Sequence, residues 1–245
     1  MLSDLFDNIR RSIFPINIPR YVEPVLMKYN SYYRALSQEN QKKFRRRVMI
    51  ASATLDFTPN NFPMVTHEMI VLITSALIQI TFGLQNFQID RFRKIIVVPN
   101  NYNFLHFQNL LGHVDFEERC IVLSWPSVKE GYLIPDDAMN VALHEIAHAL
   151  QEENRFRLAY NAFFDKQSME EWEIEGVKKM VQIKQGQHSF LKDYGGINML
   201  EMFSVCIETF FEQGEEFERR LPRLYYAVAK LLNQDPLKGE APLLS

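Results

Sequence analysis

The sequence predicts an α+β chain in which helices predominate and a small β-sheet lies beside one central helix. Three observations carry that expectation. Residues 140–150, Asn140-Val141-Ala142-Leu143-His144-Glu145-Ile146-Ala147-His148-Ala149-Leu150, are rich in helix formers and contain no Gly or Pro. Two short β-branched runs, Ile95-Ile96-Val97-Val98-Pro99 and Cys120-Ile121-Val122-Leu123-Ser124-Trp125-Pro126, are each closed by Pro, as buried strands are punctuated. Two later segments, Met199 to about Phe217 and Leu221 to Leu232, carry apolar residues at helical spacing.

At 245 residues and 47% hydrophobic, the chain has enough apolar material for one large core. It reads as one compact unit in which a helical N-terminal part, residues 1–90, packs on a body formed by residues 91–245. A net charge of −3 provides no basic field, so nucleic acid is not expected as a partner. The one basic run, Lys42-Lys43-Phe44-Arg45-Arg46-Arg47, is short and interrupted by Phe44, and reads as the solvated face of an amphipathic helix. Cys120 and Cys206 lie in apolar runs as small buried hydrophobes, with neither a disulfide framework nor a Cys-x-x-Cys spacing. Asp4 and Asp7 stand where a secretion signal carries positive charge, so a cytoplasmic location is expected. The most apolar stretch, Met69 to Gly83, spans 15 residues and includes Thr74, Ser75, Gln79 and Thr81, which makes it a buried helix and not a membrane span.

Taken in order, Leu2, Leu5, Phe6, Ile9 and Ile13 form an amphipathic piece that docks on the body, and Pro15, Pro19 and Pro24 then break the chain up. Ser37 to Leu55 is a helix with Ser37 as N-cap and Phe44, Val48 and Ala51 on one face. Thr58-Pro59-Asn60-Asn61-Phe62-Pro63 is a turn or loop, after which His67 and Glu68 open the buried helix. Asn100 to Glu118 has no clear pattern, and its His106 and His113 read as ordinary polar residues. Asp136 or Asp137 is a candidate cap for the central helix. Glu152 to Asp193 is charged and mixed, has Trp172, Val177, Met180 and Val181 as candidate buried positions, and is expected to cover a cleft. Tyr194-Gly195-Gly196-Ile197-Asn198 is a turn with backbone freedom at two glycines. It feeds the helix from Met199, where Leu200, Phe203, Ile207, Phe210 and Phe211 form a core stripe while Glu201, Glu208 and Glu212 line the other side.

The central helix carries the chemistry. Each helical residue turns about 100°, so His148 lies roughly 40° round from His144 and one turn further on, and both imidazoles can reach one cation. Glu145 projects close enough to touch a water on that cation without ligating it. Leu143, Ile146, Ala147 and Leu150 take the opposite side as a stripe that can be buried. The competing reading is a helix whose two histidines are satisfied surface or core residues. A catalytic zinc site has three protein ligands and one exchangeable water, so a third ligand must come from elsewhere. The acidic face beyond the glycine turn offers Glu201, but its spacing from Asn198 fits a capping box equally well. Glu208 fits either an acceptor for the second ring N–H of a ligand histidine or a solvated helix face. Asn140 is either a support for the site or only a helix-start residue.

Three blocks in the same order, Leu123-Ser124-Trp125-Pro126-Ser127-Val128, then Asn140 to His148, then Tyr194 through Asn198-Met199-Leu200-Glu201-Met202-Phe203-Ser204-Val205 to Glu208-Thr209-Phe210-Phe211-Glu212, resemble the Mlc titration factor A family of zinc-dependent peptidases. The similarity covers roughly Ser37 to Pro236. It implies a zincin-like fold, one catalytic Zn2+ held by His144, His148 and Glu201, and an active-site tyrosine at Tyr194. It also implies hydrolysis of a peptide or protein substrate, aminopeptidase-like, by a zinc-activated water with Glu145 as general base. The chain departs from the family pattern after His148, where Ala149-Leu150-Gln151-Glu152-Glu153 replaces Lys-Leu-Asp and a glycine-rich acidic loop. The alternative function is an anti-repressor type binding protein that sequesters a transcriptional regulator, with the metal site structural or secondary.

Overall fold

The computed structural model describes residues 17–105, 107–187 and 189–238. The chain is α+β and predominantly helical. Its main sheet contains β1 (Asp56–Pro59), β2 (Lys94–Val98), β5 (Gly112–Asp115) and β6 (Cys120–Ser124) in the order β1-β2-β6-β5. The first three neighbours run parallel, and β5 closes the edge antiparallel to β6, with Gly112 opposite Leu123. Between β2 and β5, β3 (Tyr102–Phe104) and β4 (Phe107–Leu110) form a separate hairpin. Central strand β6 is buried at every residue and leads directly into α5 (Trp125–Leu133), with Pro126 in its first turn. Proline fits there because the first helical N–H groups have no intrahelical acceptor.

The sheet is richer than the sequence suggests. Thr58 and Pro59 belong to strand β1, not to a loop, and the unpatterned stretch from Asn100 to Glu118 holds β3, β4 and β5. These strands are short and interrupted by Asn, Gly and charged residues, so no alternation develops. Trp125 and Pro126 start a helix where the sequence suggests the end of a strand.

Among the helices of the N-terminal half, α1 (Val22–Tyr29) and α2 (Ser31–Ala35) precede α3 (Gln38–Ser52). Pro24 does not break α1, because it lies in the first turn. The amphipathic positions Leu2 to Ile13 lie outside the described residues. In α3, Ser37 caps the start by accepting from Asn40 N, and Phe44, Val48 and Ala51 are buried. The buried helix α4 (His67–Thr81) is capped by Thr66, and His67 stacks on Tyr21 with ring centroids 4.2 Å apart.

The basic run is not simply a solvated face. Arg45 pairs with Glu23 at 3.0 Å. Arg47 folds under the end of α4 and donates to the carbonyls of Thr81, Phe82 and Leu84 at 3.1, 2.9 and 2.9 Å. Carbonyls at and just past a helix end lack the regular intrahelical partners, and of these three Thr81 O also accepts a backbone bond, from Leu84 N. Arg47→Ala is therefore expected to cost roughly 2 kcal/mol or more, because buried acceptors lose their donor, and a lowered urea midpoint is the measurement.

α6 (Val141–Phe156) packs against α4, α8 (Met199–Glu212) and strands β5 and β6. One hydrophobic cluster runs through these elements, from Val22 to Leu232. α7 (Lys166–Lys184) packs on α8, on the short turn Asp193–Gly196 and on α10 (Pro222–Leu232). Its buried positions are Ser168, Trp172, Gly176 and Ile183, whereas Val177 and Val181 are exposed. The buried stripe steps by four residues through Gly176, which lets the Met199 side chain approach, and the two valines fall outside it. The helix from Met199 ends at Glu212, and α9 (Gly214–Arg220) follows as a separate helix. Among the described residues, no helix is long and apolar enough to cross a membrane.

Candidate metal centre

Two asparagine-capped helices bring the chemical groups together. Asn140 starts α6 by accepting from Leu143 N at 3.2 Å, a role the sequence suggests for Asp136 or Asp137. Asn198 starts α8 by accepting from Glu201 N at 2.9 Å. The Glu201 side chain does not return to its cap. Its Oε2 lies 3.2 Å from His144 Nε2 and 3.4 Å from His148 Nε2. The two imidazoles stand perpendicular, with ring centroids 4.6 Å apart. Ligand atoms of His144, His148 and Glu201 all lie within 4.8 Å of one another, the one such grouping among the described residues.

The opposite ring nitrogens are held by the same helix α8. His144 Nδ1 donates to Glu208 Oε2 at 3.1 Å, and the other oxygen of Glu208 accepts from Asn140 N at 2.9 Å. Ser204 Oγ donates to the His144 carbonyl at 3.1 Å and stands 2.9 Å from His148 Nδ1. A hydroxyl has one proton, so with that proton on the carbonyl it accepts from His148 Nδ1–H. With a metal ion in place of the Nε2 protons, both rings would present an unprotonated Nε2 towards Glu201, the tautomer that binds a metal ion. Two imidazole nitrogens and one carboxylate oxygen form a donor set suited to a divalent transition metal.

The charges agree with that reading. Burial works against a positive charge on His144, but Glu201 and Glu208 override it and hold its pKa up at about 10. Burial likewise opposes charge on Glu201, and the two imidazoles override it, bringing its pKa down to about 2. The space between these groups favours positive charge, whether proton or metal ion.

Glu145 is buried beside this cluster, and its carboxyl is raised by that burial, with His144 and His148 opposing the rise. It packs against the sheet edge at Gly112, where an added Cβ would lie 2.8 Å from both Glu145 Cγ and Val141 Cγ2. Tyr194 is half exposed, with its ring centroid 6.0 Å from that of His144. Burial and the Glu201 and Glu145 carboxylates push its phenol up, so it is protonated at neutral pH and can donate. Neither glycine after Tyr194 has a positive φ. Gly196 is required for close packing, since a Cβ there would meet Ile183 Cγ2 at 2.8 Å.

A cavity of about 470 Å³ opens on the His144 and Glu145 side, between α5, α6, α8 and the β4–β5 turn. Of the segment 152–193, which the sequence suggests as a cover, only Lys192 lines it. The helix α7 packs behind the site, on α8 and α10, and so does not close over the cavity. His113, on the far face of the sheet, bonds to Tyr102 at 2.5 Å and stacks on Phe104, and His106 lies outside the described residues.

Sequence reasoning overlooks two participants. Ser204 lies three residues after Glu201 and four before Glu208, on the same face of α8, so spacing alone marks it. Gly112 has no such signal, because nothing local reveals which side chain crosses it.

A family model described as glucose-regulated metallo-peptidase M90 matches residues 7–232. The Synechocystis sp. protein named slr2042, described as uncharacterized, is 21% identical over 243 residues, covering 93% of this chain and 88% of that protein. Mlc titration factor A of Escherichia coli is 22% identical over 167 residues, covering 61% of this chain and 62% of that protein. The Mlc titration factor A of Shigella flexneri matches to the same extent. These alignments span under two thirds of the titration factors' own length.

Proposed function

The chain belongs to the glucose-regulated metallopeptidase family M90, and from that premise we propose that it is a zinc-dependent peptidase with a zincin-like site. One observation carries the reading: two helix-borne Nε2 atoms and the Glu201 carboxylate converge within 4.8 Å, beside a buried Glu145 and an open cavity. His144, His148 and Glu201 would hold the ion. When bound, zinc supplies Lewis acidity, activating a water and polarising a carbonyl.

The remaining chemistry belongs to the chain. Glu145 accepts the water proton and passes it to the leaving amine, a transfer helped by the raised affinity for protons that burial gives it. Tyr194 donates its phenol to the developing oxyanion, a contact stronger in the transition state than in the ground state. Glu208 and Ser204 orient the imidazoles, and Asn140 steadies Glu208. Strand β5 is the sheet edge, and Leu110 to Gly112 line the cavity, so an extended peptide has backbone groups with which to pair.

Two measurements test this reading. Purified protein is expected to carry one zinc ion per chain, and chelation is expected to abolish hydrolysis of a peptide library, with zinc restoring it and magnesium failing to. Hydrolysis unaffected by thorough zinc removal would end the proposal. Ser204→Ala is expected to weaken zinc binding by roughly 10–100-fold, the usual effect of losing a group that orients a ligand, as read by competition with a chromogenic chelator.

A second reading rests on the printed name of the E. coli relative, which points to titration of Mlc. Capture of a transcriptional regulator in the cytoplasm would survive both chelation and Glu145→Gln, whereas peptide hydrolysis would not.

A further inference from the structure

The cavity beside the metal cluster has a polarity that the hydrolytic chemistry leaves unexplained. Its walls near the ion site are largely apolar, with Leu110, Leu111, Met139, Val141 and Val205 among the lining residues. Glu130 and Asp137 also line it. Both side chains are exposed, and neither has a cationic partner among the described residues. Among the described residues the Asp137 carboxylate accepts from Met139 N alone, at 2.9 Å. Lys192, the lysine in the lining, donates its ammonium to the carbonyl of Ala138.

Chain geometry places these acids relative to the ion site. Gly131, next to Glu130, accepts from the Asn140 side chain at 3.2 Å, and Asp137 precedes Asn140 by three residues. Both residues thus sit near the N-terminal end of α6, and both line the cavity. That end lies one helical turn before His144, about 5.4 Å along the axis. The four-carbon stem of a lysine side chain spans a distance of this order.

We propose that this cavity selects peptides carrying a lysine or arginine side chain beside the scissile bond, the aliphatic stem lying along the apolar wall and the cation meeting Glu130 and Asp137. The inference rests on the peptidase reading and adds the substrate class. A glutamate side chain would meet like charge in the same place, which is disfavoured. Norleucine has a stem similar to that of lysine and lacks the charge, so comparing the two isolates the contribution of the acids.

The test is binding, which is independent of turnover. Zinc-loaded full-length protein is titrated calorimetrically with N-acetylated peptide hydroxamates in two series. The varied residue lies on the acyl side of the hydroxamate in one and on the amine side, as a succinyl hydroxamate, in the other. Each series carries lysine, arginine, norleucine or glutamate. In one series lysine and arginine are expected to bind roughly tenfold more tightly than norleucine, the size expected of two exposed charge contacts, with glutamate weakest.

The double variant Glu130→Gln, Asp137→Asn is expected to bring lysine and norleucine to equal affinity while leaving norleucine affinity and zinc content unchanged. Equal binding of lysine and norleucine in both series overturns the inference, as does a lysine preference that persists in the double variant. A preference absent from both series but present in matching hydroxamates prepared with a free α-amine also overturns it, since the acids would then be reading the peptide terminus. If no hydroxamate binds protein that retains its zinc, the peptidase reading itself fails, and the inference falls with it. Binding without cation preference removes only the latter.

Discussion

Glu145→Gln is expected to lower kcat for peptide hydrolysis by on the order of 10²–10⁴ while zinc content stays at the wild-type level, because removing a general base removes a contribution of that size. The retention of zinc follows from geometry. In the proposed site His144, His148 and Glu201 would hold the ion and Ser204 and Glu208 contact the opposite ring nitrogens, so Glu145 would take no part in the coordination. Glutamine keeps the shape that packs against Gly112. It also removes a carboxylate whose ionised form is disfavoured by burial, so the melting temperature is expected to hold or rise. Activity and stability then move apart in one variant. A variant that keeps full turnover, or that loses both zinc and stability, would place Glu145 in a different role.

Glu201→Gln has the larger consequence for the metal. The amide is nearly isosteric but is a poorer ligand, and it removes the one carboxylate that faces both imidazole Nε2 atoms. A structural four-ligand zinc site binds with roughly 10–16 kcal/mol, so one ligand's share is about 3 kcal/mol, on the order of a hundredfold to a thousandfold in affinity. Zinc affinity by chelator competition is the measurement, and hydrolysis is expected to return only at correspondingly raised zinc concentrations. An unchanged affinity would show that the third ligand lies elsewhere. The Asn198 cap is retained in this variant, because it is made to the Glu201 backbone, so helix α8 is expected to keep its start.

Glu201 marks how far the sequence can be read. Spacing alone left Glu201 divided between capping and ligation, and the structure shows that the alternatives do not compete: Asn198 engages the backbone N–H, which frees the side chain for the imidazoles. The helix with His144 and His148 was legible because its apolar and polar positions separate at helical period. The buried helix from His67 was legible because it is apolar on every side. Strands β1, β3, β4 and β5 were not, since each spans only three or four residues, too few for an alternating pattern to stand out. Arg47 was hidden for a related reason: a basic residue in a basic run resembles a solvated one until the helix end that it caps comes into view. Ser204 gave a spacing signal, but a serine inside a helix carries no chemistry by itself. Val177 and Val181 look buried by hydrophobicity alone, but the packing stripe of the helix follows the small residue Gly176 and leaves both valines outside it.

Every polar contact to the paired imidazoles described above comes from α8, at positions 201, 204 and 208 of a single helix. The ion would therefore act as a rivet across one seam between two helices, not as a clamp on the whole molecule. Slow hydrogen exchange of backbone amides is the natural readout, since a ligand that binds only the folded arrangement suppresses the openings that break it. Adding zinc to metal-free protein is expected to increase protection together in residues 141–156 and 199–212, while the sheet edge formed by residues 56–59 exchanges as before.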